Sequence, residues 1–405
     1  MPEGYLKNAE IARRYHVSTA TVSRWFRLAQ ENKNMLELAQ IDNKLYALDT
    51  FQNHSEFERL AEIGRRYKVS EETIVTEPEP ELYKLLTANE IVELIRGIQE
   101  NNFVDLKYMF IGQGADNYVT LVEGNKIKRN SSYNQQYFAF IADWINDNLS
   151  HTLQNESLSI IDMCVGDGEV IKPVLKNLQN LHTVTDYHAL DFSLKMLEKN
   201  KENISQSFGK TIHKNSKVDL ERDSIYRLLD NTKAFTSNQR QVFFNIGDTF
   251  NNFHNPATYI KNVAYAMHSG DLFVLSTNTD VAVSAAYLTG RNKNNRKYRM
   301  YMDYQHDYSL FKLLGISTDE FVSLIELEDN KYTRGFQFNK TYRSNIRIDK
   351  QNYPLTIESG SIINILKLET YTPEWLANKF AKNSLRIVRY VDNGLCSGIY
   401  ILQKV

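Results

Sequence analysis

Apolar residues along this chain follow two periods. From Ser159 to Met163 they run almost unbroken and stop at Cys164-Val165-Gly166-Asp167-Gly168, which predicts a buried strand entering a tight glycine-containing bend. Helical spacing takes over at once and predicts a helix from Glu169 to Leu178. Further strands are predicted over Tyr187–Asp191, Lys217–Leu220, Gln241–Gly247 and Asp271–Thr277, with helices at Leu194–Ile204 and Asp223–Asp230 between them. Strands alternating with helices imply an α/β fold on a parallel sheet. Two last strands, Ile362–Leu368 and Gly398–Leu402, flank a helix from Pro373 to Lys382. Residues Val281 to Lys350 break the pattern and, rich in Tyr, Asn and Lys, read as an inserted α+β cap. Its Tyr298, Tyr301, Tyr304 and Tyr308 suit either core packing at helical spacing or a cation cage.

Ahead of the sheet, the pattern changes again. Asn8 is placed to cap a helix Ala9–Tyr15, His16-Val17 make a turn, and Ser18 caps Thr19–Gln30. Ile11, Val17, Val22, Trp25 and Phe26 form one face, leaving Ser18, Thr19, Thr21, Arg24 and Arg27 outward as DNA-contact candidates. The run Val17 to Trp25 resembles the DNA-binding heads of small bacterial regulators, and a hairpin over Ala39–Leu48 would make the helix-turn-helix a winged one. Through residue 35 there are six Lys/Arg against three Glu. A three-helix packing module with one basic face would read the same way. Residues Ala61–Ile74 repeat Ala9–Val22 in register, an internal duplication that runs into the acidic Thr76-Glu77-Pro78-Glu79-Pro80. Amphipathic segments Leu85–Gln99 and Tyr133–Leu149 and the apolar Leu106–Gly112 then form a helical roof. The layout is a head (1–80), a roof (81–157), a ligand-binding sheet (158–280), a cap (281–355) and closing strands (356–405).

Composition changes this picture little. With 42% hydrophobic and 24% charged residues, the 405-residue chain is ordinary for a globular protein, and a net charge of −1 argues against wrapping a polyanion. No apolar run reaches the length of a membrane span and no signal peptide opens the chain, so a cytoplasmic location is expected. Two cysteines, Cys164 and Cys396, make neither a disulfide framework nor a zinc cage, and no metal is expected. His188, inside a strand, reads as a core histidine.

Chemistry concentrates at the bend. Glycines two apart let a ligand approach the backbone, and the next helix offers unpaired N–H groups. Asp191 ends the second strand about where a ribose-binding acid belongs. Its carboxylate accepts only, which suits a ribose diol, although a helix cap is the plainer role. A dinucleotide site would need a third glycine where Ile171 stands.

The run Asp162 to Gly168 resembles the first motif of class I S-adenosylmethionine (SAM) methyltransferases, D-x-G-x-G-x-G, with Cys164 replacing the first glycine. More specific is Phe243-Phe244-Asn245-Ile246-Gly247-Asp248-Thr249-Phe250-Asn251-Asn252-Phe253. It resembles the F-F-x-G-S-T-I-G-N-F signature of the histidine Nα-methyltransferases of ergothioneine biosynthesis, and the order from Leu106 onward follows that family. The resemblance implies a Rossmann-like class I sheet, SAM as cofactor and an amino-acid-like amine as substrate. It implies cofactor contacts at Asp162, Cys164, Gly166, Gly168, Asp191, Phe192, Asp219, Leu220, Asn245 and Gly247, with Asp219 near the adenine. Substrate contacts would fall at Tyr133, Thr249 and Asn252, although Asp219 and Asn252 also suit plain turns. Two departures bear on the acceptor: Phe110 replaces a tyrosine beside the SAM carboxylate, and Leu366 and Leu368 replace the Glu and Ser that recognise imidazole. Leucine offers no hydrogen bond, so an amine more apolar than histidine is expected.

Two other classes fit less of the chain. One is a DNA-binding regulator whose sheet senses SAM or a metabolite, and a homodimer would then match paired half-sites. The other is a nucleic-acid methyltransferase, for which the fourth strand lacks the N/D-P-P-Y that stacks an extruded base.

Overall fold

Fully buried runs set the sheet that carries the bend. The computed structural model describes residues 4–30, 34, 36–41, 44–66, 70–128, 140, 143–149, 157–181, 183–205, 212–231, 239–247, 249–281, 297–302, 308–317, 321–328, 331–392 and 397–405. The chain divides into two compact units, residues 1–105 with 285–367 and residues 106–284 with 368–405.

The first unit opens with β1 (Tyr5–Leu6), α1 (Asn8–Arg14), α2 (Thr19–Gln30), β2 (Leu38–Ile41), β3 (Lys44–Leu48) and α3 (Phe51–Arg66). Ile11, Val22, Trp25, Phe26 and Phe57 close one small core beneath the three-stranded sheet β1-β3-β2. Then come β4 (Thr73–Thr76), α4 (Leu82–Leu85) and α5 (Ala88–Asn101), the last begun by a Thr87/Glu90 capping box.

The second unit starts at a 3-10 turn, Leu106–Phe110, followed by α6 (Gln113–Lys128). Its sheet is laid down as β5 (Ser157–Met163), α7 (Lys172–Leu181), β6 (Thr183–Asp191), α8 (Leu194–Ser205), β7 (Ile212–Lys217), α9 (Ile225–Asn231), β8 (Arg240–Asn245), α10 (Pro256–Ala266) and β9 (Leu272–Asn278). The chain returns to the first unit for β10 (Lys297–Met302), α11 (Ser309–Leu313), β11 (Phe321–Glu328), β12 (Lys331–Phe338), β13 (Thr341–Ile348), β14 (Gln351–Ile357) and β15 (Ile362–Glu369). Helix α12 (Pro373–Lys382), β16 (Leu385–Asp392) and β17 (Ser397–Lys404) finish the second unit.

Seven strands lie in the order β16-β17-β9-β8-β5-β6-β7. Strands β5 to β9 are parallel, and β17 runs antiparallel to both β9 and β16. Alternate residues feed opposite faces: Ile160, Val242 and Val274 join one core, Ile161, Phe243 and Phe273 the other. Burial on both sides explains why these strands read as continuous apolar runs. From β5 the chain steps outward through β6 and β7, then crosses back to β8. The strand order therefore reverses beside β5, where open α/β sheets take ligands.

Several expectations are corrected. The run Ile362–Leu368 forms β15, but it belongs to a four-stranded sheet, β10-β11-β12-β15, and not to the seven-stranded one. The place expected for it is filled by β16, whose Arg386, Arg389 and Tyr390 are the charged and polar dressing of an edge strand and hid it from an apolar-run reading. Strand β7 ends at Lys217, earlier than expected, because as an edge strand it needs no apolar run. Turn residues delay α7 to Lys172.

The sequence repeat is not repeated in space. Its first copy spans α1 and α2, whereas in its second copy the end of α3 is followed by β4, which pairs in parallel with β13. A tertiary partner overrides the local likeness there. Asn8 does not cap α1 either: Lys7 N–H donates to Glu10 Oε2 at 3.0 Å, and Asn8 Nδ2 donates to Ser23 Oγ. In the cap segment, Tyr298 and Tyr301 sit on β10 rather than on a helix, and Tyr308 is buried edge-on against Phe321 and Phe336. Tyr304 lies outside the described residues.

Candidate functional site

The bend after β5 is built on backbone geometry that side chains resist. Cys164, Gly166 and Gly168 have φ of 56°, 52° and 80°, so the positions matching the first-motif glycines are left-handed even where cysteine replaces one. Cys164 N–H donates to the Leu190 carbonyl at 2.8 Å, tying the bend to β6. Burial and the nearby Asp191 and Asp162 charges push its thiol well up, so it is not a nucleophile. A Cβ on Gly166 would meet nothing within 4 Å, whereas one on Gly168 would lie 2.7 Å from Asn200 Nδ2. Gly166 faces open space and Gly168 is packed down on α8.

Two carboxyls end adjacent strands beneath the bend. Asp191 Oδ1 accepts from Ser193 N–H at 2.9 Å, and its Oδ2 faces Gly166 N–H at 3.4 Å. Burial pushes its carboxyl up to about 6, against the opposing pull of these N–H groups. Asp162, 3% exposed, accepts from Tyr187 Oη at 2.5 Å, and that hydroxyl accepts from Asn200 Nδ2 at 3.0 Å. Burial raises Asp162 to about 7; the Tyr187 bond opposes this and the Asp191 charge adds to it. Sequence reading missed Tyr187 and Asn200, since nothing in their spacing marks them as supports of the bend.

These shifts predict an inverted pH dependence of stability. An unfolded aspartate titrates near 3.9, so between about pH 4 and 7 the folded protein binds more protons at these two sites than the unfolded chain does. Their contribution therefore favours folding at low pH and is lost as pH rises through about 6 to 7. Urea unfolding from pH 8 to pH 5 is expected to show stability rising toward pH 5 relative to an Asp162→Asn/Asp191→Asn double variant. Parallel pH curves for the two proteins would refute this.

Beyond β6, Phe192 is 8% exposed and meets Tyr108 edge-to-face at 5.7 Å. Val218 N–H donates to the Asp191 carbonyl at 2.9 Å, which brings Asp219 and the buried Leu220 to the same end of the sheet. Asp219 Oδ1 accepts from Glu221 N–H at 3.2 Å, and Oδ2 is ion-paired to Lys107.

On the other side, Gly247 (φ 115°) also faces open space. Ser276 fixes it, its Oγ accepting from Gly247 N–H at 2.7 Å and lying 3.0 Å from the Gly247 carbonyl, to which it can donate. Asn245 is not part of this group through its side chain: it is fully buried, and its Nδ2 donates to Tyr259 Oη at 2.7 Å inside the core. Thr249 and Asn252 bracket the 3-10 turn Thr249–Asn252, both half-buried. Between them Asn251 is 1% exposed; its Nδ2 donates to the carbonyls of Asn278 and Glu369, and its Oδ1 accepts from Asn278 N–H and Thr277 Oγ1. Asn251 thus pins the turn that carries the other two, a role the Asn-Asn pair did not reveal.

Tyr133 lies outside the described residues. Leu366 and Leu368 on β15 are both buried, and Phe110 packs against Tyr118. His188 is a core residue bonded to Ser216 at 2.9 Å, lowered to about 4 by burial and Lys214. In the head, Ser18 Oγ caps α2 by accepting from Thr21 N–H at 3.0 Å, and Thr19, Arg24 and Arg27 are exposed. Among the described residues no cluster of His, Cys, Asp and Glu could hold a metal, and no helix is long and apolar enough to cross a membrane.

The sequence model of a family described as histidine-specific, SAM-dependent methyltransferases matches residues 136–402. No curated protein matches the chain. Among solved structures, the CcbJ methyltransferase from Streptomyces caelestis is similar at 12% identity, TM-score 0.38, over 65% of this chain and 90% of that one. Magnesium protoporphyrin IX methyltransferase from Synechocystis PCC 6803, with S-adenosylhomocysteine bound, aligns at 10% identity, TM-score 0.37, over 74% and 98%. SAM-bound CalS10, an amino pentose methyltransferase from Micromonospora echinaspora, aligns at 12% identity, TM-score 0.34, over 70% and 97%.

Proposed function

The chain belongs to the family of histidine-specific, SAM-dependent methyltransferases, and from that premise we propose that it methylates the amino nitrogen of a small amino-acid-like amine other than histidine. When bound, SAM supplies an activated methyl group on a sulfonium. The residues at the bend suit it: Gly166 and Gly247 leave room that a side chain would fill, and the Asp191 carboxylate, an acceptor only, is turned toward Gly166. In this reading Asp191 takes the ribose hydroxyls, and Phe192, Asp219 and Leu220 take the adenine. The bend residues Asp162, Cys164, Gly166 and Gly168, with Asn245 at the end of β8 through its backbone and Gly247 after it, are assigned to the remainder. Only the neutral amine carries the lone pair that attacks the methyl carbon, so the ammonium form first gives a proton to solvent, and the chain's task is to hold the neutral amine in line. Proximity carries most of the rate. Thr249 and Asn252, on the turn pinned by Asn251, are the groups proposed to hold the amine's polar end, with Tyr133.

Leucines stand at 366 and 368 where the family resembled in sequence has the Glu and Ser that recognise imidazole, and this substitution motivates the choice of acceptor. An imidazole placed against them would lose about 1–3 kcal/mol for each polar atom left unmet. Titrating the protein saturated with S-adenosylhomocysteine is expected to give heat with apolar amino acids and none with histidine. Tight histidine binding would sink the reading.

We further propose that the head is a winged helix-turn-helix that contacts DNA through Ser18, Thr19, Thr21, Arg24 and Arg27, supported by the outward placement of that side of α2. A basic face of this size should give salt-sensitive retardation of duplex DNA, weakened by an Arg24→Ala/Arg27→Ala variant. Retardation that is indifferent to salt and to that variant, or no retardation at all, would show that this face of the head does not bind DNA.

A further inference from the structure

A carboxylate oxygen that holds a lysine is not free to hold an adenine amine in the same direction. Lys107, in the turn Leu106–Phe110, is ion-paired with Asp219 Oδ2, their side chains only 14% and 16% exposed. The same ammonium lies 5.2 Å from the centroid of the Phe192 ring and 5.1 Å from that of Tyr108. One nitrogen thus rests on an aromatic ring and on an acid together. These are the two contacts that the amino edge of an adenine would make if Phe192 and Asp219 receive it. The other Asp219 oxygen already accepts from Glu221 N–H, so Lys107 holds the oxygen that the backbone leaves to a ligand.

Resting on the assignment of Asp219 to the adenine, we propose that Lys107 is an internal competitor for the adenine subsite, giving up Asp219 when the cofactor enters and taking it back when the product leaves. The exchange is inexpensive because Asp219 keeps the Glu221 N–H on Oδ1 and an ion pair with Arg222, whose Nε is 3.9 Å from Oδ2, while Lys217, 4.7 Å from the centroid of the Phe192 ring, keeps a cation on that ring. Lys107 is carried by a short turn ahead of α6 whose Tyr108 and Met109 are buried, so its withdrawal is a rotation of its own side chain and leaves the turn and the sheet in place. The competition lowers affinity for donor and product alike, which favours release of S-adenosylhomocysteine after each transfer.

The test reads Lys107 directly. Wild-type protein is acetylated with an amine-reactive ester, with and without saturating S-adenosylhomocysteine, and Lys107 is quantified by peptide mass spectrometry. Its modification is expected to rise at least threefold with the ligand. By calorimetry, Lys107→Met is expected to tighten S-adenosylhomocysteine binding five- to tenfold, and Asp219→Asn to weaken it at least tenfold. If the ligand protects Lys107 or leaves its labelling unchanged, or if Lys107→Met leaves affinity unchanged or weaker while Asp219→Asn weakens it, the competitor role is overturned and the adenine assignment stands. If Asp219→Asn leaves affinity unchanged, the adenine assignment itself fails.

Discussion

Replacing Asp191 by asparagine is expected to weaken S-adenosylhomocysteine binding about a hundredfold while leaving the ligand-free protein at least as stable as before. Under the proposed assignment, two ribose hydroxyls donating to an ionised, half-buried carboxylate would each contribute about 1.5–3 kcal/mol, and asparagine offers one neutral acceptor in place of two charged oxygens. A hundredfold loss is about 2.7 kcal/mol, inside that range. Stability moves the other way, because burial already holds the carboxyl up to about 6, so that at pH 8 the folded protein carries a desolvated charge the amide removes. The amide oxygen can still accept from Ser193 N–H. Calorimetry with S-adenosylhomocysteine and thermal unfolding of the same samples would measure both. A variant that binds normally would take the ribose away from Asp191, and one that fails to fold would make the residue a structural cap.

The glycines of the bend separate fold from binding. Gly168→Ala is expected to cost about 2–4 kcal/mol of stability, because its Cβ would sit 2.7 Å from Asn200 Nδ2 and 3.3 Å from Ile204 Cγ1, at a φ of 80° that alanine also resists. The damage spreads: displacing Asn200 removes the donor that holds Tyr187 Oη, the partner of buried Asp162. Gly166→Ala meets no neighbour and should cost only the left-handed strain, about 1 kcal/mol. Its methyl group, however, projects into the space assigned to the cofactor. That variant should fold, with a melting temperature a few degrees lower, and lose S-adenosylhomocysteine binding by tenfold or more. Normal binding by Gly166→Ala would move the cofactor off the bend.

The fold was legible in sequence where burial is symmetrical. Strands β5, β8 and β9, covered on both faces, are unbroken apolar runs that admit one reading. Edge strands β7 and β16 were blurred or missed, because a strand with one neighbour keeps polar side chains. The Ile362–Leu368 run shows the complementary failure: apolar alternation says that a strand buries one face, not which sheet it joins.

By itself, the sequence determined the local chemistry: a tight glycine-containing bend after a buried strand, an acid ending the next strand, an asparagine-rich turn after the fourth. Each follows from residues adjacent in the chain, so each could be read without coordinates. Only the tertiary structure decided which side chains face which. It turned Asn245 into the core against Tyr259, made Asn251 the pin of the turn bearing Asn252, stood Tyr187 and Asn200 behind the bend, and brought Lys107 to Asp219 across more than a hundred positions. Such pairings depend on how strands are ordered and helices laid over them, and a contact between distant residues leaves no periodicity in the chain that makes it.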